Sequence, residues 1–293
     1  MTEAAIDIID CDLVEVVGDD STAFLQGQVS QDVEALGVGD SAMSFVLQPS
    51  GHVDAWFRLH RTGPSSYTIE AEAGLGSLLT SRLQKFLIRT AADVGDPAPG
   101  RVLRIRGEAP GRWTSGDAPT GSMIAQVEWS ELTGTDLVGP AGEIDQAALG
   151  LGVAQTRESG ISAVEQLRVA AGVPRFGIDL VAGSIPASAG EAVIRASVSF
   201  TKGCYTGQEL VARMNSRGGQ APVVLRRLSA DGPLDVGSTA FVDGDEVGQV
   251  TSVAGSVGLA ALMRKVAPGS SVDVSGTIAR VEALPGDPLI EPT

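Results

Sequence analysis

The chain is poor in the residues on which most active-site chemistry depends. Its 293 residues include two histidines, His52 and His60, and two cysteines, Cys11 and Cys204. A hydrolase built on a histidine base has little to draw on, and His52, following a P-S-G turn, reads as a loop residue. The cysteines lie 193 positions apart, neither in a C-x-x-C pair. A disulfide framework, a mononuclear zinc site and a four-cysteine cluster are therefore all poorly supported. No apolar run is long enough to span a bilayer. The opening MTEAAIDIIDCDL lacks the basic start and apolar core of a secretory signal, so a cytoplasmic protein is expected. Positive charge is scarce as well: 21 Lys and Arg stand against 36 Asp and Glu, a net charge of −15. That excludes a general grip on nucleic acid or anionic membranes, both of which require a basic surface.

What is present suffices for a substantial core, with 43% hydrophobic and 19% charged residues. The length suits two domains, at roughly 100–200 residues each. A strand is predicted at 13–17. A helix follows, capped by Asp20 or Ser21, with Leu25, Val29, Val33 and Leu36 at helical spacing and Gly27 as its weak point. Residues 41–72 read as three strands separated by P-S-G and G-P-S-S turns. The next helix turns Leu75, Leu79, Leu83, Phe86 and Leu87 inward and sets Arg82, Lys85 and Arg89 on a solvated stripe. Strands are expected at 101–107 and 122–129, and a short helix at 142–149. Ser162 and Glu165 form a capping box on a helix whose inward residues are Val164, Leu167 and Ala171, ended by Gly172 and Pro174. After residue 221 six short strands, 223–230, 238–243, 246–253, 257–264, 271–275 and 278–284, predict a small barrel or sandwich.

The stretch SFTKGCYTGQELVARMNSRGG, residues 199–219, stands apart. Upstream, Ile194, Ala196, Val198 and Phe200 alternate with polar residues, as in a half-buried strand. Downstream, Leu210, Val211 and Met214 give a helix one apolar side. Cys204 would then sit on a glycine-punctuated loop, where Lys202, Arg213 and a helix N-terminus would each favour its thiolate. A buried, inert cysteine is the plainer alternative. Gly203 and Gly207 permit close backbone approach or simply a turn. Tyr205 and Phe176 are candidates to stack on a flat ring, or core residues. Arg168 and Arg175 are candidates to hold a carboxylate, or surface arginines. G-C-Y-T-G is no nucleophile elbow, since Tyr205 occupies its centre and no histidine serves it. On these features alone the sequence describes a cleft-bearing protein with one candidate activated cysteine, and no reaction.

K-G-C-Y-x-G-Q-E, Lys202 to Glu209, resembles the motif of YgfZ-type folate-binding proteins, relatives of the glycine-cleavage T-protein (aminomethyltransferase). FLQGQVSQDV (24–33), LQPSGHVDAWFRL (47–59) and LRVAAGVPRFGIDL (167–180) with Ile185-Pro186 are similar to further blocks of that family, in the same order. The resemblance implies an α+β, T-protein-like fold of several parts around a central cavity, ending in a small β-barrel. Residues 1–220 would form two interleaved α+β subdomains and residues 221–293 the barrel. It also implies a tetrahydrofolate-dependent accessory role in assembling or repairing [4Fe–4S] client proteins, and through them in tRNA modification, without direct contact with nucleic acid or membrane.

On that reading Cys204 and Lys202 carry the chemistry, Cys204 acting as a transient Fe–S ligand, with no permanently bound metal. Tyr205, Gly207, Gln208, Glu209, Arg168 and Arg175 would bind the cofactor. Two positions depart from the family text, Ala170 and Ser188 standing where glutamates are frequent. A pterin edge without a carboxylate partner loses about 1.5–3 kcal/mol. A tetrahydrofolate-dependent aminomethyl or methyl transferase is the enzymatic alternative, and a ligand-free scaffold a third reading.

Overall fold

The computed structural model describes residues 4–107, 118–129, 131–150, 162–216 and 221–287. One antiparallel sheet organises the first part. Its strands are β1 (Ala5–Val17), β2 (Ser41–Leu47), β3 (Val53–Gly63), β4 (Ser66–Glu72), β6 (Ala98–Arg106), β7 (Met123–Trp129) and β8 (Leu132–Pro140), in the order β2-β3-β4-β1-β6-β8-β7. The two-residue β5 (Asp93–Val94) pairs with β1.

Side chains alternate across this sheet, so its two faces differ in chemistry. The back is apolar. Val14, Val16, Phe57, Leu59 and Ile69 pack against Phe24 and Leu25 of α1 (Ser21–Gln28) and Leu79 and Leu83 of α2 (Gly76–Gln84). Farther along, Leu103, Ile105 and Leu137 meet Ile144 and Ala148 of α3 (Ala141–Gly150). The front carries Trp56, Arg58, Glu70, Glu72, Arg104 and Asp136. It is covered by α4 (Ala163–Ala170), the 173–180 connection, a 3-10 turn (Pro186–Ala189) and α5 (Glu191–Ser197).

The chain then passes through α6 (Gln208–Ser216) into a closed barrel of order β10-β11-β12-β9-β14-β13. Its strands are β9 (Val223–Ala230), β10 (Thr239–Val242), β11 (Asp245–Ala254), β12 (Val257–Met263), β13 (Ser271–Val274) and β14 (Thr277–Glu282), matching the six expected from spacing. Two tight turns at Asp243-Gly244 and Ser275-Gly276 have positive φ at both central residues, the conformation two-residue hairpins require. Residues 217–220, at the expected junction, lie outside the described residues, as do 288–293.

Local patterns and structure part company at several places. Residues 194–200, expected as a strand, are the end of α5 and the extended chain after it. Val193 and Ser197, four apart, are the buried pair, while Phe200 is 47% exposed. The alternation there is too short to separate period two from 3.6. Contacts settle it: Ser197 accepts from Trp56 Nε1 at 2.8 Å, and its carbonyl accepts from Ser30 Oγ at 2.6 Å. Helix α1 stops at Gln28 rather than near residue 36, because Val29 turns extended and bridges to Val46. Gln26 holds the turn that follows, its amide oxygen accepting from Val33 N and its amide nitrogen donating to Asp32. Val29 and Val33 are buried all the same. Asp20 does not cap α1 with its side chain; its carboxylate accepts from Ala91 N.

In α2 the solvated stripe is not found at Arg82, which pairs with Asp54, donates to the Leu47 carbonyl and covers the ring of the exposed Phe86. Only half of the α4 capping box forms: Ser162 Oγ accepts from Glu165 N at 3.1 Å, while the Glu165 carboxylate turns to Arg168 instead of Ser162 N. Its inward face, however, is Val164, Arg168 and Val169, and Leu167 is exposed. Strand β1 starts at Ala5, eight residues ahead of the predicted 13–17, and β8 has no counterpart in the sequence reading.

Candidate functional site

Three of the sequence blocks meet at one loop. Cys204 is exposed on it, between α5 and α6. The residues around it are not loose. Thr206 N donates to Gly27 O at 3.2 Å, and Tyr205 N donates to Gln208 Oε1 at 3.3 Å. Gly207 has φ +82 and lies so close to the β2–β3 turn that a Cβ there would stand 2.4 Å from Gln48 O. The FLQGQ segment, the P-S-G turn and the K-G-C-Y-T-G loop therefore brace one another. Lys202 contributes from beneath: its Nζ donates to Val29 O at 2.8 Å and Gln31 O at 2.7 Å, and lies 5.1 Å from the centre of the Tyr205 ring. Burial holds its ammonium well below the ordinary range, at about 8, against the pull of Asp32 and Glu34. Burial, with Glu209 second, pushes the Tyr205 phenol up to about 12. Lys202 is thus directed at the carbonyls after α1 rather than at the thiol.

The second feature is a central cavity of about 140 Å³ between the front of the sheet, α4 and residues 173–176. Trp56, Trp129 and Phe176 give it aromatic walls, and Trp56 is held by an edge contact to Trp129 as well as by Ser197. Its floor is charged. Arg58 bridges Glu70 (3.2 Å) and Asp136 (2.8 Å), His60 Nε2 sits 2.9 Å from Glu70, and Arg106 reaches Asp136 at 2.6 Å. Burial works to raise both carboxyls, but Arg58 outweighs it, with His60 at Glu70 and Arg106 at Asp136, and both stay below their usual values. Cys11 also lines the cavity; burial first, then Glu70, pushes its thiol far up.

The sequence-named residues separate into two groups. Arg168 and Arg175 line the cavity together with Phe176; none of Lys202, Cys204, Tyr205, Gly207, Gln208 and Glu209 does. Tyr205 instead packs in the apolar cluster behind Trp56 and Phe176. Arg168 does meet carboxylates, but internal ones. It donates to Glu165, Asp179, the Val173 carbonyl and Ser252 of the barrel, so its five N–H groups are engaged. Arg175 grips Glu72 through Nε and Nη2 at 2.7–3.0 Å, leaving Nη1 outside that pair. Neither Ala170 nor Ser188 lines this cavity, so the carboxylates in reach of a ligand are others, chiefly Glu70 and Glu72. Those residues, with Trp56, Arg58, Trp129 and Asp136, were not singled out from sequence. The available signal was charged residues at alternate positions of otherwise apolar strands, as in R-I-R (104–106). Among the described residues, no group of three or more His, Cys, Asp or Glu converges in a manner suited to a metal ion.

No family model matches the chain. A protein named tRNA-modifying protein YgfZ from Photorhabdus laumondii is 27% identical over 223 residues, 73% of this chain and 67% of that one. The crystal structure of the glycine cleavage system aminomethyltransferase T from Bartonella henselae superposes with a TM-score of 0.79 at 20% identity, over 97% of this chain and 87% of the other. The chain is related to the YgfZ-type proteins. Its fold is that of the T-protein. An uncharacterised Haemophilus influenzae protein is 26% identical over 209 residues, 70% of this chain but only 66% of its own length. The chain thus spans about two-thirds of the YgfZ-type relatives it matches. In this chain the exposed thiol and the central cavity are separate features, joined through the Tyr205–Trp56–Phe176 cluster.

Proposed function

We propose that this chain is a folate-binding-type accessory factor for the assembly or repair of [4Fe–4S] proteins, supporting tRNA modification through those clients. The observation that carries the reading is the exposed Cys204 on a braced loop apart from the cavity. A thiol in that position is open to another protein while a small molecule occupies the cavity. One cysteine cannot enclose a cluster, so Cys204 acts as a transient ligand shared with the client. The net charge of −15 suits an indirect part in tRNA chemistry.

The cavity residues fit a reduced folate. Trp56, Trp129 and Phe176 offer ring faces, the Glu70 and Glu72 carboxylates accept hydrogen bonds, and Arg175 Nη1 is a donor outside the Glu72 pair. At about 140 Å³ the cavity takes a ring system and leaves a tail outside. Bound tetrahydrofolate would supply a one-carbon acceptor. The transferase alternative is not favoured: the likeness to the aminomethyltransferase is one of fold at 20% identity, while the sequence relative at 27% is a protein named YgfZ.

Two measurements test this reading. In cells lacking the gene, a [4Fe–4S] tRNA-modifying enzyme should regain activity with the intact chain and not with Cys204→Ala; equal rescue by both would overturn the thiol's role. Calorimetry should show tetrahydrofolate binding that Glu72→Gln weakens by one to two orders of magnitude, the effect of about 1.5–3 kcal/mol for one charge-assisted hydrogen bond. Absence of binding to the intact chain would remove the folate.

A further inference from the structure

A second cavity, of about 280 Å³, lies where α5, α6 and the 3-10 turn close over one end of the barrel. It shares no lining residue with the central cavity. We propose that it binds a small amphipathic anion, a carboxylate or phosphate head on an aromatic or branched apolar body, with Arg226 as the charge that receives the head.

Arg226 sits in β9 opposite Ala260, a barrel-core residue, so its side chain starts from the barrel interior and reaches the cavity at the barrel's end. It is only 8% exposed. Among the described residues it has neither a hydrogen bond nor an ion pair, and its buried Nε is unsatisfied. Buried guanidinium groups are ordinarily paired, because an ion removed from water without a partner is strongly disfavoured. Among the described residues every other buried arginine obeys the rule: Arg104, Arg106 and Arg168 each hold a carboxylate.

The surroundings explain why an anion, and which kind. Arg195 and Arg264 also line the cavity, and with Arg226 they outnumber its two acids, Glu191 and Asp287, leaving a net positive lining in a chain whose net charge is −15. Arg195 gives Nη2 to Gly286 O. Asp287 accepts from Glu191 N at 2.6 Å and acts on Arg226 through its charge, with no ion pair between the two among the described residues. Burial depresses the Arg226 guanidinium, Asp287 offsets this only in part, and Arg264 adds to it. The opposing wall is apolar: Phe200, Ile194, Val211 and Met214. Phe200 is 47% exposed and belongs to none of the core clusters, as expected of a ring that meets a ligand instead of the core. A volume of about 280 Å³ is near the lower bound of roughly 300 Å³ for ligand pockets, which suits a metabolite-sized molecule.

The test is calorimetry on the full chain with three probes: phenylacetate, phenyl phosphate and inorganic phosphate. At least one of the two aromatic anions should bind saturably at one site, and whichever binds more tightly identifies the head group. Arg226→Met should weaken that binding at least tenfold, and Phe200→Ala severalfold. Absence of saturable binding by every probe, or equal affinity in Arg226→Met, would overturn the proposal. Inorganic phosphate binding as tightly as the aromatic probes would overturn the apolar half. Should Arg226→Met not fold, Phe200→Ala decides, since an exposed ring outside the core clusters can be truncated without loss of structure.

Discussion

Gly51 and Gly207 face each other across the junction of the β2–β3 turn and the Cys204 loop, each occupying space the other's surroundings deny to a Cβ. A Cβ on Gly51 would stand 2.3 Å from Leu210 Cβ and 3.0 Å from Gly207 O; one on Gly207 would stand 2.8 Å from Leu47 Cβ and 3.2 Å from Gly51 Cα. Both have positive φ, +85 and +82. An L side chain at either position meets two penalties, about 1–2 kcal/mol for the left-handed backbone and a collision with backbone or a β-carbon. Gly207→Ala should therefore lower the stability by about 2–4 kcal/mol in urea unfolding. A midpoint within error of the parent would show that this contact is not as tight as described.

The two thiols should behave oppositely. Cys204 is exposed, whereas Cys11 is buried and its thiol is pushed far up. A thiol-reactive chromophore should label one group quickly in the native protein and two in denaturant. Cys204→Ser should abolish the fast phase; a fast phase that survives would mean that Cys11 is accessible.

Removing one end of the charged floor should be severe. In Asp136→Asn, Arg58 and Arg106 lose their shared carboxylate, a loss of about 3–5 kcal/mol for a buried pair. The pH dependence has a definite sign. Asp136 and Glu70 titrate below their ordinary 3.8 and 4.5, so the unfolded chain takes up these protons first. Their stabilisation is fully present above those ordinary values and is lost as pH falls through the lower folded ones. Below about pH 3.8 the parent should lose stability more steeply than Asp136→Asn, and parallel curves would contradict the ion-pair account.

Lys202 gives the opposite window. Its folded value of about 8 lies below the ordinary 10.5, so between these the unfolded chain holds the proton and the folded chain does not. The destabilisation from its buried charge is present below pH 8 and relieved as pH rises to 10.5. Relative to Lys202→Met, the parent should gain stability over that range. In NMR of the methylated protein, the Lys202 signal should titrate near 8. Titration of that signal at the ordinary 10.5 would refute its burial.

What the sequence determined by itself was whatever local chemistry controls. The barrel strands were legible because turn residues punctuate them, such as Asp243-Gly244 and Ser275-Gly276, whose pairing with glycine suits the positive φ of a two-residue hairpin. The α4 start was legible because Ser162 caps Glu165 within one turn. The end of the Cys204 loop was legible because Gly207 is needed for a close approach, whereas a Cβ on Gly203 would meet nothing. Tertiary structure decided the rest. The 194–200 text fits either period, and Trp56 and Ser30, far away in the chain, select the helix by bonding to Ser197. Arg168 and Arg175 were identifiable as carboxylate holders, yet the carboxylates are internal, Asp179 and Glu165 for one and Glu72 for the other. The charged cavity floor depends on strand register, which sets Arg58 opposite Glu70 and Arg104 opposite Asp136. Register is a long-range property: a slip of one residue would turn these charges into the apolar back of the sheet, and no local pattern around Arg58 or Asp136 reveals which partner lies across the strand.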